Sequence, residues 1–179
     1  MVKFYSSNYT YDHDFGVVSL AVFLKYPNPY SSHVKSVDTV SRHIDSEGRL
    51  HTTRLLVKKG RLPKWATSFL GRINESYILE DSIVDKDNKV MQSWSRNLDH
   101  TKIMRVDEHV KYQGTNQGTT IAHTEVRILS QFSLIRDKIE AFGHKRFPEN
   151  MLRSRKGMNY IMELITAGGF KLYRQTNSA

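Results

Sequence analysis

No cysteine occurs among the 179 residues, which excludes a disulfide framework and any thiolate metal site within the chain. Long apolar runs are missing too. The longest, Val17 to Leu24, is interrupted by Ser19 and is far too short to cross a bilayer as a helix. There is no acidic excess: 27 Lys and Arg against 18 Asp and Glu leave a formal net charge of +9, which favours nucleic acid or an anionic membrane surface as partner. Eight histidines make that field grow as pH falls through the ordinary imidazole range. Met1 to Tyr5 alternate like a strand and carry neither an apolar signal core nor an Arg-rich stretch, so no cleavable leader is expected.

What is present reads as an α+β domain over residues 1–166 with a polar tail over 167–179. Apolar and polar residues alternate near 3–11, 34–44, 50–60, 75–85, 89–97, 104–113 and 119–130, predicting seven strands. Asp45-Ser46-Glu47-Gly48, Asp85-Lys86-Asp87-Asn88 and Gly114 to Gly118 supply turns short enough to require antiparallel pairing. A first helix is expected from Asp14 to Lys25, capped by Asp12 or Asp14. A long amphipathic helix is expected over 134–166, with Pro148 either kinking it or opening a second helix.

Proline is scarce, four in all, yet two fall in Lys25-Tyr26-Pro27-Asn28-Pro29-Tyr30-Ser31-Ser32-His33-Val34, where the chain leaving the first helix must turn. Lys25 and His33 flank this turn as candidate phosphate ligands. Arg54 and Lys58 share one strand face, and Arg146, Asn150 and Arg153 share one helix face. Cations from strand and helix inside one apolar cavity need an anion between them. Gly60 to Arg72, preceded by Lys59, sets Leu62, Pro63, Trp65, Phe69 and Leu70 among Arg61 and Lys64, a composition suited to a basic, greasy-tipped lid at a membrane interface. No glycine-rich phosphate loop, nucleophile elbow or zinc spacing occurs, so no catalytic residue, metal or cofactor is expected.

Taken with Thr53-Arg54-Leu55-Leu56, Lys58 to Trp65, Leu79 to Asp85, Asn97-Leu98-Asp99-His100 and Arg146-Phe147-Pro148-Glu149-Asn150, the turn segment makes the chain resemble the PRELI-type family of phospholipid transfer proteins of the mitochondrial intermembrane space. The resemblance spans roughly residues 1 to 165. It implies a helix-grip fold, a curved seven-stranded sheet wrapped around a long C-terminal helix with a lipid cavity and a lid loop.

It also implies a headgroup site of Lys25, His33, Arg54, Lys58, Arg146 and Asn150, a basic rim of Lys59, Arg61, Lys64 and Arg153, and phosphatidic acid as the bound ligand. Many relatives carry arginine where this chain has Lys25, exchanging a planar fork for a point charge. The implied activity is non-enzymatic carriage of phosphatidic acid from the outer to the inner mitochondrial membrane for cardiolipin synthesis. The implied partners are anionic membranes and a small disulfide-stabilised helical-hairpin protein that retains the chain in that compartment. Phosphatidylserine transfer by the same mechanism is the alternative. A nucleic-acid module fits the charge less well, because Tyr5, Tyr9, Tyr11 and Trp94 form no register for base stacking.

Overall fold

Burial along Leu50–Lys59 alternates, with Thr52, Arg54 and Leu56 buried and their neighbours less so, the pattern of a strand covered on one face. The structure, a computed structural model, describes residues 2–59, 75–101, 104–130 and 136–168. Seven strands, β1 (Val2–Tyr11), β2 (Val34–Ile44), β3 (Leu50–Lys59), β4 (Glu75–Asp85), β5 (Val90–Asn97), β6 (Arg105–Gly114) and β7 (Thr120–Leu129), form one sheet in the order β1-β7-β6-β5-β4-β3-β2. Every pair is antiparallel. The β2–β3 and β6–β7 turns each use a glycine in the left-handed region, Gly48 (φ 78°) and Gly118 (φ 76°), where a side chain would be strained.

Strands β1 and β2 are consecutive in sequence but lie at opposite edges of the sheet, so the segment between them crosses it. Helix α1 (Phe15–Leu24) makes that crossing, and of the two cap candidates Asp14 serves, its Oδ1 accepting from Val17 N at 3.0 Å. Apolar on nearly every side, α1 is buried through Val18, Ala21 and Val22 against Met158, Ile161 and Met162 of α2 (Arg136–Thr166) and against Tyr11, Met91, Tyr112 and Ala122 of the sheet. Each valine, isoleucine or methionine so buried is worth about 1.5–3 kcal/mol.

One helix, not two, passes through Pro148. Its C-terminal half is welded into this core, so the interior proline's cost of about 3 kcal/mol is offset by packing further along. The result is a helix-grip fold, with the sheet curved around α2. No helix among the described residues is long and apolar enough to cross a membrane. The expected lid, including Arg61, Leu62, Pro63, Lys64, Trp65, Phe69 and Leu70, lies outside the described residues.

Candidate functional site

Lys25 occupies the C-cap of α1, and the chain turns at once through a cis Tyr26–Pro27 bond into a single 3₁₀ turn, Pro29–Ser31. Buried Asn28 organises the reversal: its Oδ1 accepts from Tyr30 N at 2.9 Å and its Nδ2 donates to the Lys25 carbonyl. Helix α2 rests on this turn at Gly157, where a Cβ would come within 3.0 Å of the Asn28 amide atoms. The turn thereby fixes where Lys25 begins and lets its side chain reach inward.

Between the concave face of the sheet and the first half of α2 lies a cavity of about 620 Å³, within the ~300–1,000 Å³ range of small-molecule sites. Lys25, His33, Lys58, Lys59, Arg146, Asn150 and Arg153 all line it, so strand and helix contributions that the sequence places far apart meet here. Six Lys and Arg side chains face two carboxylates, Glu80 and Glu108, among the described lining residues. Burial and the neighbouring Lys58 and Arg153 charges hold His33 below its ordinary pKa, so its imidazole is neutral at pH 7.

Arg54 is the departure. It does share the inner face of β3 with Lys58, but it is 3% exposed and does not line the cavity. Its Nε donates to Glu80 Oε1 at 2.9 Å and its Nη2 pairs with the same oxygen; Nη1 and Nη2 also donate to the carbonyls of Phe23 and Val22 at 3.1 and 3.2 Å. Those carbonyls belong to the last turn of α1, whose own hydrogen-bond partners have run out. Arg54 therefore clamps α1 to the sheet and is no direct headgroup ligand, because α1 covers it.

Glu80, directly opposite Arg54 in the β3–β4 register, also approaches Lys25, Oε2 to Nζ 3.8 Å. Burial pushes the Glu80 carboxyl up, but Lys25 and Arg54 outweigh burial and hold it below its ordinary value. Burial likewise pushes Lys25 down, while Tyr26 and Glu80 more than restore it and leave the ammonium held above its usual range. The triad carries one excess positive charge, and Lys25 is the member that lines the cavity.

Sequence reasoning missed two further lining groups. Glu108 accepts from Ser95 Oγ at 3.4 Å, and Arg155 lies over the Tyr9 ring at 4.5 Å with Nη2 donating to Ser7 Oγ at 2.6 Å. Alternation along β6 could have shown Glu108 facing inward, whereas Arg155 lies off the helix stripe carrying Arg146, Asn150 and Arg153. A second hollow, about 640 Å³, is lined chiefly by outward residues of the opposite sheet face, among them Phe4, Trp94, His109, Glu125 and Arg127. Trp94 and His109 stack there with ring centroids 5.1 Å apart, and Phe4 is 74% exposed.

Comparison with known proteins adds an independent finding. The model of the PRELI-like family matches residues 17–167. "Protein UPS1, mitochondrial" of Saccharomyces cerevisiae is 45% identical over 165 residues, covering 91% of this chain and 94% of that one. "PRELI domain-containing protein 1, mitochondrial" of Bos taurus is 36% identical over 166 residues, covering 90% and 76%. Among solved structures, TTHA0849 from Thermus thermophilus superimposes with a TM-score of 0.61 at 14% identity, covering 91% of this chain and 99% of that one, a likeness of fold alone.

Proposed function

This chain belongs to the PRELI-like family, and we propose on that footing that it is a mitochondrial lipid transfer protein that extracts phosphatidic acid from one membrane and releases it at another. The observation that carries the reading is the placement of Lys25, Lys58, Arg146 and Arg153 on the wall of one cavity between the sheet and α2, a wall that also carries apolar side chains such as Val106, Val110, Val126, Ile128 and Met151. Converging cations favour a phosphate, and Lys25, the one most withdrawn from water, is pre-positioned for it by Asn28, Arg54 and Glu80.

The work is carriage, not transformation. Each acyl methylene shielded from water is worth about 0.8 kcal/mol, which lowers the barrier to crossing the aqueous gap between outer and inner membranes of the intermembrane space. Phosphatidic acid delivered there would supply cardiolipin synthesis. For the disulfide-stabilised helical-hairpin partner, the sheet's outer hollow around Phe4 and Trp94 is the proposed seat, since exposed aromatics there are wide enough to engage an apolar helix face.

A second reading has one observation in its favour. Glu80 and Glu108 set carboxylates beside the cationic groups, and a phosphatidylserine ammonium would suit them.

Transfer of fluorescent phosphatidic acid and phosphatidylserine between vesicles separates the readings. Selective movement of phosphatidic acid is the expected result, reduced about tenfold or more by Lys25→Met through loss of a charge-assisted hydrogen bond. Selective movement of phosphatidylserine would reverse the headgroup assignment, and movement of neither would remove the transfer function.

A further inference from the structure

The cations on the cavity wall do not by themselves tell one anionic phospholipid from another. Phosphatidic acid ends in a phosphomonoester, lipids with an esterified headgroup carry a phosphodiester, and Lys25, Lys58 and Arg153 attract both. Discrimination needs a group that treats the two differently.

Glu108 is such a group. It stands on β6 in step with Val106, Val110 and Tyr112, which also line the cavity. The strand registers put it on the row that holds the triad: Arg54 faces Glu80, Glu80 faces Ser95, and Ser95 faces Glu108. The two carboxylates of this row differ in their neighbours. Glu80 is taken up by Arg54 and Lys25. Glu108 has, among the described residues, no ion pair and a single hydrogen bond, from Ser95 Oγ to Oε2 at 3.4 Å. Its side chain is half-buried, not sealed off, and Oε1 has no protein partner among the described residues.

Two strand spacings, roughly 9.5 Å, separate the Glu80 and Glu108 backbones, and Lys25 Nζ lies 3.8 Å from Glu80 Oε2. Burial pushes the Lys25 ammonium down, and Glu108 is near enough to join Tyr26 and Glu80 in holding it up. A phosphate bridging an ammonium and a carboxylate spans about 7–8 Å from nitrogen to carboxylate oxygen, two charge-assisted hydrogen bonds and its own width. An anion held by Lys25 on this row therefore comes within reach of Glu108. A carboxylate repels a phosphate unless a proton lies between them. A phosphomonoester has one to offer, since its second ionisation falls at about pH 6, and the neighbouring carboxylate favours the protonated form. A phosphodiester anion has none.

We propose that Glu108 is a specificity-determining residue that accepts a hydrogen bond from the P–OH of a phosphomonoester headgroup and repels phosphodiester anions. The proposal rests on the transfer reading above and adds to it the selection of the headgroup. Lys25 supplies attraction, Glu108 discrimination, and Ser95 orients the carboxylate.

The test is transfer between vesicles of phosphatidic acid and phosphatidylmethanol with identical chains, by the wild-type chain and by Glu108→Gln, scored as the ratio of the two rates within each preparation. Phosphatidylmethanol differs from the phosphatidic acid monoanion in one methyl group, which replaces the proton. The ratio is independent of how much of a variant is folded. The wild type is expected to favour phosphatidic acid about tenfold or more, the worth of a hydrogen bond to a charged acceptor. Glu108→Gln keeps the shape and loses the charge, so the ratio should fall about fivefold or more. Equal transfer of both lipids by the wild type would overturn the assignment, and so would an unchanged ratio in the variant, which would leave the bulk of the methyl group as the discriminator. Selective loss of phosphatidylserine movement in Glu108→Gln would also overturn it, by placing an ammonium on the carboxylate. If the wild type moved no phospholipid, the transfer reading beneath the proposal would fall with it, recognisable by the loss of all movement and not of selectivity.

Discussion

Glu80 carries more of the site than any single cation. It is the shared counter-ion of Arg54 and Lys25, both largely withdrawn from water, and without it two positive charges would face each other at the end of α1. Removing one partner of a buried ion pair costs about 3–5 kcal/mol, because the charge left behind is uncompensated. Glu80→Gln is therefore expected to lower stability by that order in chemical denaturation at pH 7.

The pH dependence follows from the depressed carboxyl. A group whose folded pKa lies below its unfolded value contributes stability that is fully present above the unfolded value and lost as pH falls through the folded one. For Glu80 the reference is 4.5, so the wild type should lose this contribution below about pH 4.5, and Glu80→Gln should unfold with a shallower slope there. Parallel slopes in the two proteins would show that the carboxylate does not hold the triad together. Charge reversal at Lys25 is for the same reason a poor probe of headgroup binding, since it would set carboxylates side by side and unfold the site it was meant to test.

At the scale of elements, the turn after α1 and the helix pressed on it act as one part. Gly157 lies in the buried contact between α2 and Asn28, and Asn28 is held by hydrogen bonds to Tyr30 N and the Lys25 carbonyl, so its amide cannot swing aside without releasing both. Helix propensity alone makes Gly157→Ala stabilising by about 1 kcal/mol. The close approach predicts the opposite sign, a lowered Tm together with slower transfer, because the shift is passed through Asn28 to Lys25. A raised Tm with unchanged transfer would show that the turn yields freely.

The same contact shows what a sequence can and cannot reveal. Alternation located all seven strands to within a residue or two, and both glycine hairpin turns were legible because each depends on neighbours in the chain, as was the cap of α1 down to a choice between Asp12 and Asp14. Parity put Arg54 and Lys58 correctly on one face. It could not say that α1 would lie over Arg54 while leaving Lys58 open, because that is decided by a crossing from one sheet edge to the other. Glu80 was visible as a carboxylate, but its pairing needed the β3–β4 register. Continuity of α2 through Pro148 was likewise undetermined locally, since the compensation comes from Met158, Ile161 and Met162 in the distant core.

For the whole molecule, charge acts in two places that salt distinguishes. The formal +9 is spread largely over solvated side chains, where attraction to an anionic bilayer is long-ranged and screened, the Debye length shrinking from about 10 Å at 0.1 M to about 3 Å at 1 M. Lys25 meets its partners inside the fold, at 16% side-chain exposure, where mobile ions screen far less. Docking and holding should therefore respond differently. Raising NaCl from about 0.05 to about 0.5 M is expected to slow transfer between anionic vesicles several-fold, while the fraction of phosphatidic acid that co-elutes with the protein in gel filtration at the same two salt concentrations stays nearly constant. A parallel fall in both would mean that the phosphate is held at the open rim by Lys59 and Arg153 instead of at depth by Lys25. The proposed order of events, attraction by the surface and then capture by the buried triad, requires the two curves to separate.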